Sequence, residues 1–311
     1  MLTKIIQKRK KYFDNREYTN AFRIHCYGEF YPGLRVDLLG TVLFIDHDRV
    51  IDREKITQKF CDELSPYLEL THVVYRDRCQ TVEKSLSKKK MLLVSWPNQK
   101  VVEGGEFYVK ELGLKYKLSF DETFSHGLFM DQRENRKVLL EKMKPGQSFL
   151  NLFSYTGAFS LLAASKGLEV SSVDRYPRYL KWSRENFDIN ELETKKHRFI
   201  QNDVRAFLRR KDSGRFYDFV VVDPPTFSRD KKEGVFRVEQ AYPGMLRALK
   251  AKLAPGALLL LTHNKKIWPL DNFKMMIMDY FPSTEITAIE YPADFSGELD
   301  LSQGFWVQLT S

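Results

Sequence analysis

Over its second half the chain alternates short apolar runs, each stopping abruptly at an acid or a small polar residue, with stretches whose apolar residues recur at helical spacing. Residues 148–153, 169–173, 197–201, 219–222 and 257–261 are too short for buried helices and read as strands, with 304–309 as the last. Between them, 132–143, 158–166, 238–253 and 272–280 predict helices; Met245, Leu246, Leu249 and Leu253 mark a core-facing stripe, and Pro145-Gly146 stops the first helix. Strand–helix alternation of this kind predicts an α/β domain built on a mostly parallel sheet. Before about residue 121 the pattern is mixed. There 21–30 and 34–46 predict strands around Tyr31-Pro32-Gly33, 53–68 a helix, 71–76 and 90–96 strands, and 107–109 with 114–120 a hairpin around Leu112-Gly113. We therefore expect a smaller α+β domain over 1–120, serving as a positioning unit or as a cover, and a larger α/β domain over 121–311.

The strand ends carry the candidate chemistry. Phe219-Val220-Val221-Val222 closes on Asp223-Pro224-Pro225-Thr226-Phe227. Proline lacks a backbone N–H and fixes its own φ, so this turn is a rigid, acceptor-rich ledge. It can receive a base's amino group while Phe227 stacks on the base's face. A D-P-P turn alone serves equally well as a rigid connection without chemistry, and the neighbouring strand ends shift the balance. The 148–153 strand leads into Ser154-Tyr155-Thr156-Gly157 and then a helix, an order that lets backbone N–H groups approach a ligand. The next strand ends in Asp174, about 20 residues on, where a ribose hydroxyl pair is usually held. The third leads to Asn202-Asp203-Val204. A nicotinamide enzyme would use the same acid, but it also wants G-x-G-x-x-G, of which only Gly157 is present.

Four ordered motifs, Gly127-Leu128-Phe129-Met130-Asp131-Gln132-Arg133, Asn151-Leu152-Phe153-Ser154-Tyr155-Thr156-Gly157, Asp223-Pro224-Pro225-Thr226-Phe227-Ser228 and Thr262-His263-Asn264-Lys265-Lys266, resemble those of bacterial ribosomal RNA methyltransferases of the RlmK/RlmI type. The resemblance implies a class I, Rossmann-like methyltransferase fold of seven strands, the last antiparallel, using S-adenosyl-L-methionine. It implies cofactor contacts from Asp131, Gln132 and Arg133, from Asn151, Phe153, Ser154, Tyr155, Thr156 and Gly157, from Asp174 and Arg175 at the ribose, from Asp203 and Val204 at the adenine, and from Asp223. It also implies a catalytic set of Asp223, Pro224, Pro225, Phe227 and Asn264 facing the target base.

Charge and cysteine content sharpen this picture. The formal charge of +9 and pI near 9.2 suit a polyanionic partner. Arg229, Lys231 and Lys232 follow the D-P-P segment, and Lys265 and Lys266 follow the fifth strand. Both clusters therefore read as RNA-facing, whereas 209–211 reads as a solvated face. The loop 228–234 is expected to order only on RNA. The three cysteines, Cys26, Cys61 and Cys79, have no C-x-x-C spacing, so neither a disulfide framework nor a metal site is expected. The basic N-terminus lacks the apolar core of a signal sequence, and no apolar run is long enough for a membrane span, so a cytoplasmic protein is expected.

Pyrimidine C5 methylation ordinarily needs a cysteine thiolate. No cysteine follows Cys79, and Thr262-His263-Asn264 stands where the cytosine C5 enzymes of the resembling family carry one. Guanine N7 has an exposed lone pair and no proton to lose, so placement could suffice; an exocyclic amine is also compatible. The guanine N7 branch shares D-P-P-T-F-S and the Asn264-Lys265 pair, with His263 in place of an asparagine. The expected activity is N7 methylation of a guanine in large-subunit ribosomal RNA. The alternatives are another base position, a non-catalytic RNA-binding protein on the same scaffold, and a nicotinamide oxidoreductase.

Overall fold

The computed structural model describes residues 2–78, 91–120, 125–210, 214–230, 234–264, 268–282, 284–298 and 301–310. The chain divides into two compact units: unit 1, Met1–Arg133 with Tyr291–Leu299, and unit 2, Glu134–Glu290 with Asp300–Ser311.

Unit 1 is built on strands β1 (Ala21–His25), β2 (Leu34–Leu39), β3 (Val42–His47), β4 (His72–Asp77) and β5 (Leu92–Ser95), hydrogen-bonded in that order with only β3 and β4 parallel. A separate hairpin, β6 (Phe107–Glu111) and β7 (Leu114–Leu118), turns at Leu112-Gly113 as expected. The stretch 34–46, expected as one strand, is a hairpin broken at Gly40-Thr41. Gly40 adopts a φ of 69°, which L side chains rarely tolerate and a two-residue hairpin turn requires. The expected helix 53–68 is α3 (Arg53–Leu64), after α1 (Leu2–Lys8) and α2 (Lys10–Asp14) in the basic N-terminus. Asp52 caps α3 by accepting from Lys55 N, and Ser65-Pro66 ends it, since proline cannot donate the next bond.

Period-2 alternation gives the sheet two different faces. Val36, Leu38, Leu43 and Ile45 point to a core completed by Ile6, Phe13, Phe60 and Leu64 of the helices. Arg35, Asp37 and Asp46 point the other way and are nevertheless buried. Asp37 accepts from Arg23 (2.7 Å) and Asp46 from Arg76 (2.7 Å), and the segment from Tyr291 to Leu299 adds two further acids. Glu298 accepts from Arg23 (2.6 Å) and Arg35 (3.1 Å), while Asp294 accepts from Arg133 (2.9 Å) and the backbone N–H of Arg23 (2.8 Å). Arg133 also donates to Glu111 at 3.1 Å and to the carbonyl of Ala21 at 2.6 Å.

Unit 2 contains β8 (Ser148–Leu152), β9 (Glu169–Asp174), β10 (Arg198–Gln201), β11 (Tyr217–Val222), the ribbon β12 (Phe227–Asp230) and β13 (Gly234–Arg237), then β14 (Leu253–His263), β15 (Glu285–Ala288) and β16 (Gln303–Gln308). Its helices are α4 (Arg133–Lys142), α5 (Ala158–Ser165), α6 (Pro177–Asp188), α7 (Val204–Arg209), α8 (Val238–Leu249) and α9 (Leu270–Tyr280). Among the described residues seven strands form one sheet in the order β10-β9-β8-β11-β14-β16-β15, with β16 antiparallel to both neighbours and the other pairs parallel. The expected seven-stranded, mostly parallel fold is thus present. Order reverses between β8 and β11, the switch point at which doubly wound sheets bind ligands beyond their carboxyl ends. The expected helix 238–253 ends at Leu249, because Leu253 already pairs with Tyr217 in the sheet. No described helix is long and apolar enough to cross a membrane.

Asp294 is the most consequential acid in unit 1. Asp294→Ala leaves Arg133 buried beside Glu111 alone and should lower stability by about 3–5 kcal/mol, measured as a shift of the urea unfolding transition.

Candidate active site

The parallel register aligns the strand ends. Ile200, Val173, Leu152, Val222 and Leu261 are cross-strand neighbours in one row, and the next row reads Gln201, Asp174, Phe153, Asp223 and Thr262. Asp174 and Asp223 therefore lie in one row, two strand spacings or about 10 Å apart, on either side of the switch point.

On one side stands the turn after β8. Phe153 and Tyr155 have φ of 60° and 50° and Gly157 of 80°, so left-handed residues alternate along it. Tyr155 N–H donates to Asp174 Oδ2 and Tyr176 N–H to Asp174 Oδ1, both at 2.9 Å. Each carboxylate oxygen keeps acceptor capacity. Burial raises the Asp174 pKa, and the N–H groups of Tyr176, Tyr155 and Arg175 only partly oppose it. Gly157 cannot be replaced without strain. An added Cβ would sit 2.0 Å from Ser183 Oγ, and the φ is one L side chains rarely adopt. The Thr156 carbonyl is held by Asn186 Nδ2 at 2.9 Å. Ser154 Oγ in this turn and Asn202 Nδ2 after β10 are buried with no hydrogen-bond partner.

Asn151 lies beneath the turn rather than in it: its amide donates to Ser160 Oγ (2.9 Å), which also accepts from Ser172 (2.7 Å), tying β8 and β9 to α5. Asp203 caps α7 by accepting from the N–H groups of Arg205 and Ala206, and it also takes the guanidinium groups of Arg205 (3.1 Å) and Arg175 (2.9 Å). Burial raises its pKa, but Arg205, the Ala206 N–H and Arg175 outweigh that and hold it below the usual range. In this arrangement Asp203 is committed to two arginines rather than offered as an open acceptor. Val204 is buried in the core.

On the other side Thr262 Oγ1 donates to Asp223 Oδ1, and Tyr242 OH fixes Thr262 by donating to its carbonyl at 2.7 Å. Pro224 is buried and Pro225 exposed. Phe227 is 51% exposed, with the Arg237 guanidinium 5.6 Å from its ring centroid. Ser302 donates to Asn264 Oδ1, so the amide group of Asn264 left for a partner is its Nδ2 donor. His263 points the opposite way, its ring among Trp268 (4.9 Å) and Phe273 (4.8 Å), as packing rather than site.

The remaining expected site residues fall in unit 1 or outside the described residues. Asp131, Gln132 and Arg133 belong to unit 1, where Gln132 and Arg133 are buried and Arg133 is held by Glu111 and Asp294. Lys231, Lys232, Lys265 and Lys266 lie outside the described residues, as does the side chain of Arg229. Of the loop 228–234, expected to order only on RNA, residues 231–233 lie outside the described residues. Phe227–Asp230 and Gly234–Arg237 pair as an antiparallel ribbon, anchored by Phe236, whose ring is buried against Phe153. Missed altogether is α6, whose Tyr179 and Trp182 pack on Tyr155 at 4.5 and 6.3 Å. Its apolar residues Leu180 and Phe187, two turns apart, were the available signal.

A family model for S-adenosylmethionine-dependent methyltransferases matches residues 94–305. The chain belongs to this family. Its methyl donor is S-adenosylmethionine, and the strand-end acids with the two unpartnered buried groups, Ser154 Oγ and Asn202 Nδ2, suit a polar ligand of that kind. The methyltransferase is 39% identical over 169 residues to the ribosomal RNA large subunit methyltransferase K/L of Shewanella loihica, and 32% identical over 195 residues to the methyltransferase K of Neisseria meningitidis. These matches cover 54% and 62% of this chain but only 23% and 54% of the relatives' lengths. Among solved structures it is similar to SMU.776, crystallised with S-adenosylhomocysteine (24% identity, TM-score 0.78, 99% of this chain and 81% of that one). It also resembles a methyltransferase from Agrobacterium tumefaciens (21%, 0.72, 94% and 91%). At these identities the structures establish the shared fold.

Burial pushes the His263 imidazole from 6.5 down to about 4. The unfolded chain takes up this proton near pH 6.5 and the folded chain refuses it until about pH 4. The stability present above 6.5 is therefore lost as pH falls toward 4, on the order of 3 kcal/mol. The thermal midpoint should drop more steeply across this window in the wild type than in His263→Leu. Equal slopes would show that His263 is solvated.

Proposed function

We propose that this methyltransferase modifies a base of large-subunit ribosomal RNA, and that the acceptor is guanine N7. The observation that carries the reading is the Asp223-Pro224-Pro225 ledge at the switch point, its carboxylate oriented by Thr262 in the same row as Asp174. Guanine presents N–H donors at N1 and N2 and an acceptor at O6. Asp223 and the prolyl carbonyls accept, and the Asn264 amide donates, so the ledge is complementary to guanine in both senses. The exposed Phe227 ring offers a stacking face for a base taken out of its helix.

When bound, S-adenosylmethionine supplies an electrophilic methyl group on a sulfonium. Asp174 holds the ribose hydroxyls with the oxygens that already accept from Tyr155 and Tyr176, and the Ser154–Gly157 turn faces the methionine end. Guanine N7 has no proton to remove, so the protein's task is placement, and no general base is required. The relatives named for large-subunit ribosomal RNA support the substrate class. Cys26 and Cys61 support a nitrogen over a carbon acceptor: both are buried in unit 1, and burial pushes both thiols up to about 12, far from a reactive thiolate.

Asp223→Ala should slow methyl transfer to unmodified large-subunit ribosomal RNA by about a hundredfold or more while cofactor affinity, read by calorimetry, stays at the wild-type value. Transfer at the normal rate would remove the ledge from the chemistry. Asp174→Ala should weaken S-adenosylmethionine binding by about tenfold or more, and unchanged affinity would remove Asp174 from the cofactor site. Borohydride and aniline, which cleave RNA at N7-methylguanine, distinguish this product from an exocyclic methylamine.

A further inference from the structure

Beside the ledge, unit 2 carries a concavity of about 310 Å³ walled by α7, β13 and α8. Its rim is Arg205 and Arg209 of α7, Arg237 of β13 and Gln240 of α8, and among the described residues no carboxylate lines it. The nearest acid in the network, Asp203, is one charge set against both Arg175 and Arg205. Among the described residues that line the concavity, the charged side chains are all arginines.

The concavity is continuous with the ledge. Phe227 pairs with Arg237 across the ribbon, and the Arg237 guanidinium lies over the Phe227 ring. Alternation along β13 turns Phe236 into the core, leaving Val235 (44% exposed) and Arg237 on the outer face. On the α8 side the small residues Ala241, Gly244 and Ala248 line it together with Met245. Glycine inside a helix is less favourable than alanine, yet a Cβ at Gly244 would meet no atom within 4 Å. The protein's own packing does not require this glycine, so the space it leaves is space for something else.

We propose that this groove holds the sugar–phosphate backbone of the RNA nucleotides flanking the target base. Guanidinium forks pair bidentately with phosphate oxygens, the Gln240 amide can bond a ribose hydroxyl, and the small residues of the α8 side let the sugar approach. A backbone seated here delivers the adjoining base to Phe227 and Asp223. The inference rests on the RNA reading above and adds Arg205, Arg209, Arg237 and Gln240 to the substrate contacts.

The test uses the full chain with Arg209→Gln, Arg237→Gln and Gly244→Glu. Affinity for a short labelled single-stranded RNA and for unmodified large-subunit ribosomal RNA is measured over a salt series, with S-adenosylmethionine affinity and thermal midpoint measured alongside. The two arginine variants and Gly244→Glu should each weaken RNA binding by about tenfold, the arginine variants with a salt slope smaller by about 1. Cofactor affinity should be unchanged throughout. Wild-type RNA affinity and slope in all three variants, with the wild type methylating RNA normally, would overturn the groove and leave the substrate reading standing. A wild-type protein that neither binds nor methylates RNA would overturn both.

Discussion

The buried carboxylate of Asp174 is the fixed point of unit 2. It ends β9, accepts from Tyr155 in the turn after β8 and from Tyr176 at the mouth of α6, and so locks three elements with two hydrogen bonds. Those N–H donors offset part of the desolvation that raises its pKa. They also explain the backbone of the turn. A non-glycine residue in the left-handed region costs about 1–3 kcal/mol, and Tyr155 sits there with its N–H aimed at the carboxylate. Gly157 completes the curl because α6 approaches so closely that Ser183 fills the place of any Cβ. Strain, close approach and a buried acid are thus one arrangement, and its result is a turn whose polar atoms face outward from the sheet edge.

Across the switch point the constraint is a strand rather than a turn. Asp223 takes its orientation from Thr262, whose carbonyl is held by Tyr242. Thr262 lies opposite Gly304 of β16, where an added Cβ would sit 2.2 Å from the carbonyl of Leu261. The antiparallel strand can pack against β14 at this row only because residue 304 has no side chain. A glycine two strands from the ledge therefore helps set the aim of its acid. The prolines do the rest locally, since neither Pro224 nor Pro225 has an N–H to turn inward.

Much of this was legible in the sequence, for physical reasons that also explain the gaps. Buried parallel strands are nearly continuous apolar runs, so β8, β9, β11 and β14 announce themselves, and their ends stand out as the first acids or prolines after each run. The edge strand β15 (Glu285–Ala288) is largely exposed and has no such contrast. In α1 and α2 the inward residues Ile6 and Phe13 are diluted by a run of lysines. The ribbon β12–β13 reads as a charged loop because its single inward ring, Phe236, is flanked by exposed residues. Roles are harder to read than positions. Arg133 and Asn151 stand in motif positions, yet their donors go to Glu111, Asp294 and Ser160. The pairing of 291–299 with unit 1 was invisible for a different reason: no local pattern records that Glu298 meets Arg23 and Arg35 more than 250 positions away.

The formal charge of +9 is equally silent about where cations are available. In unit 1, Arg9, Arg23, Arg35, Arg76 and Arg133 are all paired with buried or half-buried carboxylates. Such pairs add little net stability, because desolvation consumes most of the Coulomb gain. What they do enforce is partner choice. Arg35 lies opposite Asp46 and Arg23 bridges to Asp37, so a slip of one residue between β1, β2 and β3 would strand charges in a dry interior. Arginines fixed in this way contribute to the net charge without forming a binding surface. In unit 2, Arg237 stands beside the exposed Phe227 ring, at the rim of a groove that no carboxylate lines among the described residues. The field a polyanion meets is therefore set by where guanidinium groups reach the surface, not by the net charge of the chain.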